Sequence, residues 1–338
     1  MTRFITRRIG AALLLLVGSV LVTFGLTAIL PGDAATARLS EQAASDPEIV
    51  AAMRAELGLD QPLYKQFLIY LGNLVQGDLG DSVQSGNPVL EDLGQFGPAS
   101  AELALTAMII ALIVGGGLGV LSALRANGVI DNVLRALSLG GVSVPLFWLA
   151  LIATSVFATQ LRWFPSSGRL DAGAYAPDTV TGFYTIDSLL AGDIAMFGEA
   201  IRHLVLPAIV LAAPMIGLLL RFTRTTVLEV LSQEYVRAAE AKGLRRSRVI
   251  GGHVLRGALV PLITVIGTAF ASLLAGTVLV EQIFVWPGIG SYAYRAASNL
   301  DLTAIVGVTL FVSVIYITVN LVTDILYGII DPRIRYAS

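Results

Sequence analysis

The sequence predicts an all-α, polytopic membrane protein with six transmembrane helices and both termini on the cytoplasmic side. Three observations predict it. Mean hydropathy is +0.78, with 55% of the 338 residues hydrophobic and only 14% charged, against roughly 25% charged in soluble domains. The apolar residues fall into six charge-free blocks, of about the length a helix needs to cross a bilayer. Basic residues gather on alternate connections between the blocks, which is the pattern that sets orientation.

In chain order the blocks are Ile9–Leu30, Leu103–Leu124, Ala136–Ala158, Leu204–Leu220, Ala258–Val280 and Leu302–Thr323. The fourth is the shortest. Backbone groups in lipid must bond within their own segment, so blocks of this length are helices; a barrel would show short alternating strands instead. Arg7-Arg8 before the first block resembles the charged start of a signal peptide. The block's 22 residues exceed the roughly 7–15 of a signal core, so it reads as a retained helix.

With the N-terminus inside, 15 of the 22 basic residues lie in cytoplasmic segments. Charge is then about +9 inside and −11 outside, and both signs agree on the orientation. The chain divides into a stub with the first helix (1–30), an external helical region (31–102) and a five-helix core (103–338). That core carries an external loop (159–203) and a basic cytoplasmic loop (221–257). In the external region Asp46 and Pro47 start a helical run, Glu48 to Leu57, that Gly58 closes. A second amphipathic period follows from Pro62 to Leu74. The loop 159–203 is rich in Gly, Pro, Asp and Tyr and reads as irregular.

Catalytic chemistry is missing. No G-x-x-x-x-G-K-[ST] phosphate loop occurs, and the two lysines, Lys65 and Lys242, lie in no such setting. Cysteine is absent, which removes disulfides and thiol chemistry. His203 and His253 are the only histidines, too few and too far apart in sequence to suggest a metal cluster. Gly115-Gly116-Gly117-Leu118-Gly119 sits inside the second block, where small residues serve close helix packing rather than phosphate binding. The blocks hold no Asp, Glu, His, Lys or Arg, whereas ion-coupled carriers commonly bury such groups. The chain is built for a lipid bilayer and not for nucleic acid, and its energy source is expected elsewhere.

The most informative stretch is Glu234 to Pro261. It reads as a helix from Glu234 to Lys242, a break at Gly243, where glycine supplies a left-handed residue, and a second, basic helical piece. Ala238 and Ala239 leave a low surface for close approach. Tyr235, Val236 and Leu244 offer apolar anchors in a loop too short to bury them in a core of its own. Two roles fit: insertion into a partner's groove, or a connector lying on the anionic inner leaflet.

This stretch resembles the cytoplasmic EAA loop of binding-protein-dependent ABC importer permeases, in the form found in the dipeptide, oligopeptide and nickel group. Leu30-Pro31-Gly32-Asp33, Leu57-Gly58-Leu59-Asp60-Gln61-Pro62-Leu63-Tyr64 and Gly77-Asp78-Leu79-Gly80 are similar to that family's first external region. Val144-Pro145-Leu146-Phe147-Trp148 resembles its third span, and Trp163-Phe164-Pro165-Ser166-Ser167-Gly168 the loop after it. Glu281-Gln282-Ile283-Phe284-Val285-Trp286-Pro287-Gly288-Ile289-Gly290 is similar to the segment after the fifth span. One departure is Arg237-Ala238-Ala239 where the family's motif begins with glutamate, so a carboxylate contact at that place does not carry over.

The resemblance implies a type I importer permease fold and a non-enzymatic translocation subunit, most closely one for di- or oligopeptides. Nickel or another small solute is the alternative cargo, and an ATP-independent carrier is the alternative class. It implies a second permease subunit, two ATP-binding subunits that carry the ATP and Mg, and an external substrate-binding protein. This chain would need no cofactor of its own. It also implies that Tyr235, Arg237, Ala238, Ala239, Glu240, Lys242, Gly243 and Leu244 couple to the ATPases. Pro145, Pro207 and Pro214 are candidate hinges, since proline kinks helices. Asn320, a polar group inside the sixth block, is a candidate path-lining residue or a helix–helix hydrogen bond.

Overall fold

A computed structural model describes the backbone of residues 2–29, 43, 45–56 and 60–330. Leu30–Asp33, Leu57–Leu59 (with the helix-closing Gly58) and the C-terminal Arg333 and Arg335 lie outside the described residues. In order, the helices are α1 (Thr2–Ile29), α2 (Pro47–Glu56), α3 (Leu63–Val75), α4 (Val89–Leu124), α5 (Val129–Ser143) and α6 (Leu146–Gln160). They continue with α7 (Tyr184–Leu190), α8 (Ile194–Leu231), α9 (Glu234–Ala241), α10 (Arg246–Val249), α11 (Leu255–Ile283), α12 (Ile289–Ser298) and α13 (Leu302–Ile330). A π-helical turn, Ile250–Val254, joins α10 to α11. Among the described residues four helices are long and apolar enough to span, and the count is six if two bent pairs are each taken as one span. The chain is an all-α polytopic membrane protein.

The third segment is not the single helix expected from Ala136 to Ala158. α5 ends at Ser143, α6 begins at Leu146, and their axes differ by 101°. The cause is local. Val144 precedes a proline and is extended (ψ 125°), and Pro145 (ψ 133°) starts the next helix from outside it, as the crowding of a pre-proline residue and the missing proline N–H demand. Pro145 therefore ends one helix and begins another rather than kinking a continuous one. The fifth segment bends by 55° around Leu259–Pro261, where Pro261 lacks a backbone donor.

Two compact units are formed. One comprises 1–12, 98–291 and 316–338. Its core is Leu103, Ala107, Leu206, Val210, Leu211, Leu219, Leu273, Val280, Phe284 and Trp286 with their neighbours. α8 is its centrepiece. At 38 residues it is about 57 Å long at 1.5 Å per residue, well beyond a bilayer core of ~30 Å. The shortest block thus lies within the longest helix, extended outward to Asp193, whose side chain accepts the Met196 N–H at 2.9 Å as an N-cap. The glycine run serves packing as expected: a Cβ on Gly115 would stand 2.8 Å from the Ile216 carbonyl, and one on Gly119 2.6 Å from Thr223 Cβ. Gly115 and Gly119, four apart, give the face on which α8 lies.

The other unit comprises 13–97 and 292–315. Val20, Val306 and Leu310 form its centre, with Phe67, Tyr70, Leu71 and Leu74 of α3 packed against them. Both helices expected of the external region form. Asp46 caps α2 by accepting the Glu48 N–H at 2.9 Å. Asp301 caps α13 through the Ala304 N–H and also accepts the Ser82 hydroxyl at 2.7 Å, which ties the turn at 81–88 to that helix.

Candidate coupling surface

The basic loop 221–257 is mostly helix. α8 runs to Leu231 and α11 begins at Leu255, so only 232–254 bridges them, and α9 occupies its first half. α9 ends as the sequence predicts. Gly243 has φ +76°; its N–H donates to the Glu240 carbonyl (2.9 Å) and the Leu244 N–H to the Ala239 carbonyl (3.4 Å). This pair of bonds is a Schellman motif, with Gly243 at the left-handed position and Leu244 folding back towards Ala239.

The loop has no core of its own, but its apolar anchors Val236 and Leu244 are packed against the chain all the same. Val236, Ala239, Val249 and Val254 are buried with Ala123, Val227, Val230 and Ala258, and Leu244 packs against them. The loop borrows the inner ends of α4, α8 and α11, a source of apolar area that a reading confined to the loop could not count. Two side chains change meaning. Ala239 is only 6% exposed, so it faces the chain's own core and is no part of a low outer surface. Ala238 is exposed, together with Arg237, Glu240 and Lys242. Tyr235 is 48% exposed and lies back over Gly257, where a Cβ would meet its hydroxyl at 2.5 Å. α9 is thus seated by Val236, Ala239 and Leu244 and presents Arg237, Ala238 and Lys242 outward, with the arginines Arg245, Arg246 and Arg248 following.

Beside this seat lies a buried ion pair that sequence reasoning missed. Asp131, in the first turn of α5, is fully buried. It accepts Arg224 Nε at 2.6 Å and Nη2 at 2.8 Å, the Ser122 hydroxyl at 2.6 Å and the Asn127 N–H at 2.8 Å. One carboxylate so joins α4, the turn after it, α5 and α8. The available signal was a lone acid in a short connection whose other charges, Arg125 and Arg135, are basic.

A second buried pair organises the loop 159–203. Arg169 bonds Glu102 at 2.6 Å and the Gly182 carbonyl at 2.9 Å, and its guanidinium stacks 3.5 Å over the Tyr184 ring. Glu102 also accepts the N–H and hydroxyl of Thr185. Asp187 closes the same loop. Burial opposes its charge, but the Thr181 hydroxyl and the N–H groups of Thr181, Gly182 and Val180 outweigh it and hold the carboxyl below the usual range. Its contribution to stability is therefore present above the ordinary carboxylate range and lost as pH falls through the lowered value. Trp286 donates to the Ala99 carbonyl at 2.9 Å, and the Gly168 N–H to the Phe284 carbonyl at 2.9 Å, so two motif segments distant in sequence meet each other and α4.

The candidate path residues do not converge with the coupling surface. Pro207 and Pro214 sit inside α8, which stays one helix through both, and Pro207 is buried. Asn320 donates its amide to the Tyr316 carbonyl one turn back, at 3.0 Å, so it satisfies itself on its own helix.

Comparison with known proteins agrees with this architecture. The family described as "binding-protein-dependent transport system inner membrane component" matches residues 115–336, and its N-terminal companion matches 1–92. The di/tripeptide transport system permease protein of Pseudomonas aeruginosa is 44% identical over 336 residues, covering 99% of each chain. The probable D,D-dipeptide transport system permease protein of Escherichia coli is 43% identical over 328 residues, covering 97% of this chain and 96% of that one. The dipeptide transport system permease protein of Escherichia coli is 40% identical over 338 residues, covering 99% of each. The chain belongs to the family of inner-membrane components of binding-protein-dependent transport systems: a multi-pass translocation subunit of an ABC importer, working with other subunits and not itself an enzyme.

Proposed function

We propose that the chain is one permease half of an importer for di- or oligopeptides, paired with a second permease subunit. Two ATP-binding subunits, which carry the ATP and Mg, drive it, and an external substrate-binding protein delivers the cargo. The observation that carries the cargo is full-length identity of 40–44% to permeases named for dipeptides and tripeptides. In this reading α9 is the coupling element: Arg237, Ala238 and Lys242 face the ATPases while Val236, Ala239 and Leu244 anchor the helix. ATP-driven closure pushes α9, and α8 and α11, on which it sits, carry the movement into the spans. The test is uptake by the reconstituted complex. Labelled dipeptide should enter liposomes only with ATP inside reach of the ATPases and with binding protein outside. Uptake by the isolated chain in response to an ion gradient would refute the proposal, and ATP-dependent uptake of a metal ion but no peptide would refute its cargo.

The same reading fixes topology. Single cysteines at Ser85 and Ser167 should react with an impermeant maleimide on intact cells, and one at Ser247 should react only after the membrane is opened. Labelling of Ser247 from outside would place α9 on the wrong face for any ATPase.

A further inference from the structure

At the outer end of α8, Glu199 and His203 are four residues apart and so share one face of the helix. Asp171, from the loop 159–203, closes over them, and the donor atoms of the three side chains lie within 4.8 Å of one another. The imidazole is buried, whereas the Asp171 side chain is 70% exposed. A site reached from solvent through one ligand and anchored by another follows from that contrast.

The histidine's own hydrogen bonds decide what faces the carboxylates. Nδ1 lies 3.1 Å from the Ser167 carbonyl and 3.1 Å from the Gly168 carbonyl. Only a protonated nitrogen is stable against two carbonyl oxygens. A neutral imidazole has a single N–H, so in that form Nε2 keeps its lone pair and presents it to Asp171 Oδ1 at 3.2 Å, whereas an imidazolium would donate from Nε2 to that oxygen. Two lone pairs at that distance need a positive charge between them. The two carboxylates and a neutral imidazole sum to −2, which one divalent cation cancels and one proton does not. Metal–nitrogen and metal–oxygen bonds of about 2.0–2.2 Å at a near-tetrahedral angle place two donors about 3.3 Å apart, close to the spacing seen. Glu199 is oriented for the same task, because its Oε1 accepts the Asp171 N–H at 2.7 Å, and Oε2 accepts no hydrogen bond among the described residues. Carbonyls fixing the histidine's tautomer and an N–H fixing a carboxylate are the outer partners that metal ligands characteristically have.

We propose that Asp171, Glu199 and His203 form a binding site for a divalent transition-metal ion that pins the loop before α8, through Asp171, to α8. One imidazole with two carboxylates suits zinc or its neighbours rather than magnesium or calcium, which take oxygen ligands throughout. The proposal departs from the reading that two histidines far apart in sequence suggest no metal cluster, because the further ligands are carboxylates 4 and 32 residues away from His203, one of them across a loop. The site is independent of the cargo assignment.

The test uses the purified full-length chain in detergent, stripped with a chelator and titrated with zinc. One equivalent should bind and raise the thermal unfolding midpoint, and magnesium should do neither. Asp171→Asn and Glu199→Gln should each weaken zinc binding by roughly 10-fold or more, and cobalt in place of zinc should give a visible absorption band that both variants lose. His203 is left intact because it is buried. A midpoint unmoved by zinc, or zinc affinity unchanged in both variants, overturns the proposal. A metal-free chain destabilised by Asp171→Asn, with no zinc response in either protein, identifies an imidazolium–carboxylate pair instead and likewise overturns it.

Discussion

Arg224→Met is expected to be the most damaging single substitution to the folded chain. The arginine makes two of the four bonds that Asp131 accepts, and its loss strands a fully buried carboxylate. Removing one member of a buried pair costs ~3–5 kcal/mol. The lower end applies, because Arg224 keeps 17% of its side chain in contact with solvent. Thermal unfolding in detergent should show a midpoint lowered by several degrees. Asp131→Leu combined with Arg224→Met removes both charges and should recover part of the loss, though not all, since Ser122 and the Asn127 N–H lose their acceptor. A single substitution no more harmful than the double one would mean that the pair holds nothing together. Arg224→Lys separates charge from geometry: it keeps the positive charge but cannot form the bidentate fork, so an intermediate loss is expected.

Substitutions on α9 should damage transport more than stability. Gly243→Val places a β-branched residue at φ +76°, where an L-residue costs about 1–2 kcal/mol. A Cβ there meets nothing within 4 Å, so the whole cost is in the backbone and falls on the Schellman turn that aims α9. Ala238→Trp puts bulk on the exposed face and should leave the fold intact. Both variants should reach the membrane yet either fail to retain the ATPases or hydrolyse ATP without moving peptide. Ser247→Ala, on the exposed basic piece, is the control. Ala239→Trp belongs to a different class, because Ala239 is buried beside Val236 and Val249 and overpacking there costs about 1–3 kcal/mol; its lost transport would report a dislodged helix. Normal uptake with ATPases bound in both Gly243→Val and Ala238→Trp would make α9 a connector at the membrane surface.

The ion pair and the α9 seat adjoin one another, which gives the two sets of variants a shared consequence. Arg224 lies on α8 three residues before Val227, a member of the small core that holds Val236. Arg224→Met should therefore weaken coupling as well as stability, whereas Ala238→Trp should change coupling alone. Measuring ATP turnover and uptake beside the unfolding midpoint separates the two.

The sequence by itself determined the class, the apolar blocks and the ends of several elements. Apolar length and unsatisfied backbone in lipid allow one secondary structure, so the six blocks were legible without any partner. Asp46 and Gly243 act through neighbours one turn away, so a helix start and a helix stop were legible too. The glycine pair Gly115 and Gly119 announced a close contact but not its partner. Tertiary structure alone decided the rest, because it depends on which residues distant in sequence meet. It made Ala239 inward and Ala238 outward by supplying a core from α4, α8 and α11. It set a break of 101° between two helices at Pro145. It paired Asp131 with Arg224, 93 residues on, and set His203 against Asp171 and Glu199. Local pattern fixes what a segment can be; the sign of a side chain's environment is set by whatever folds over it.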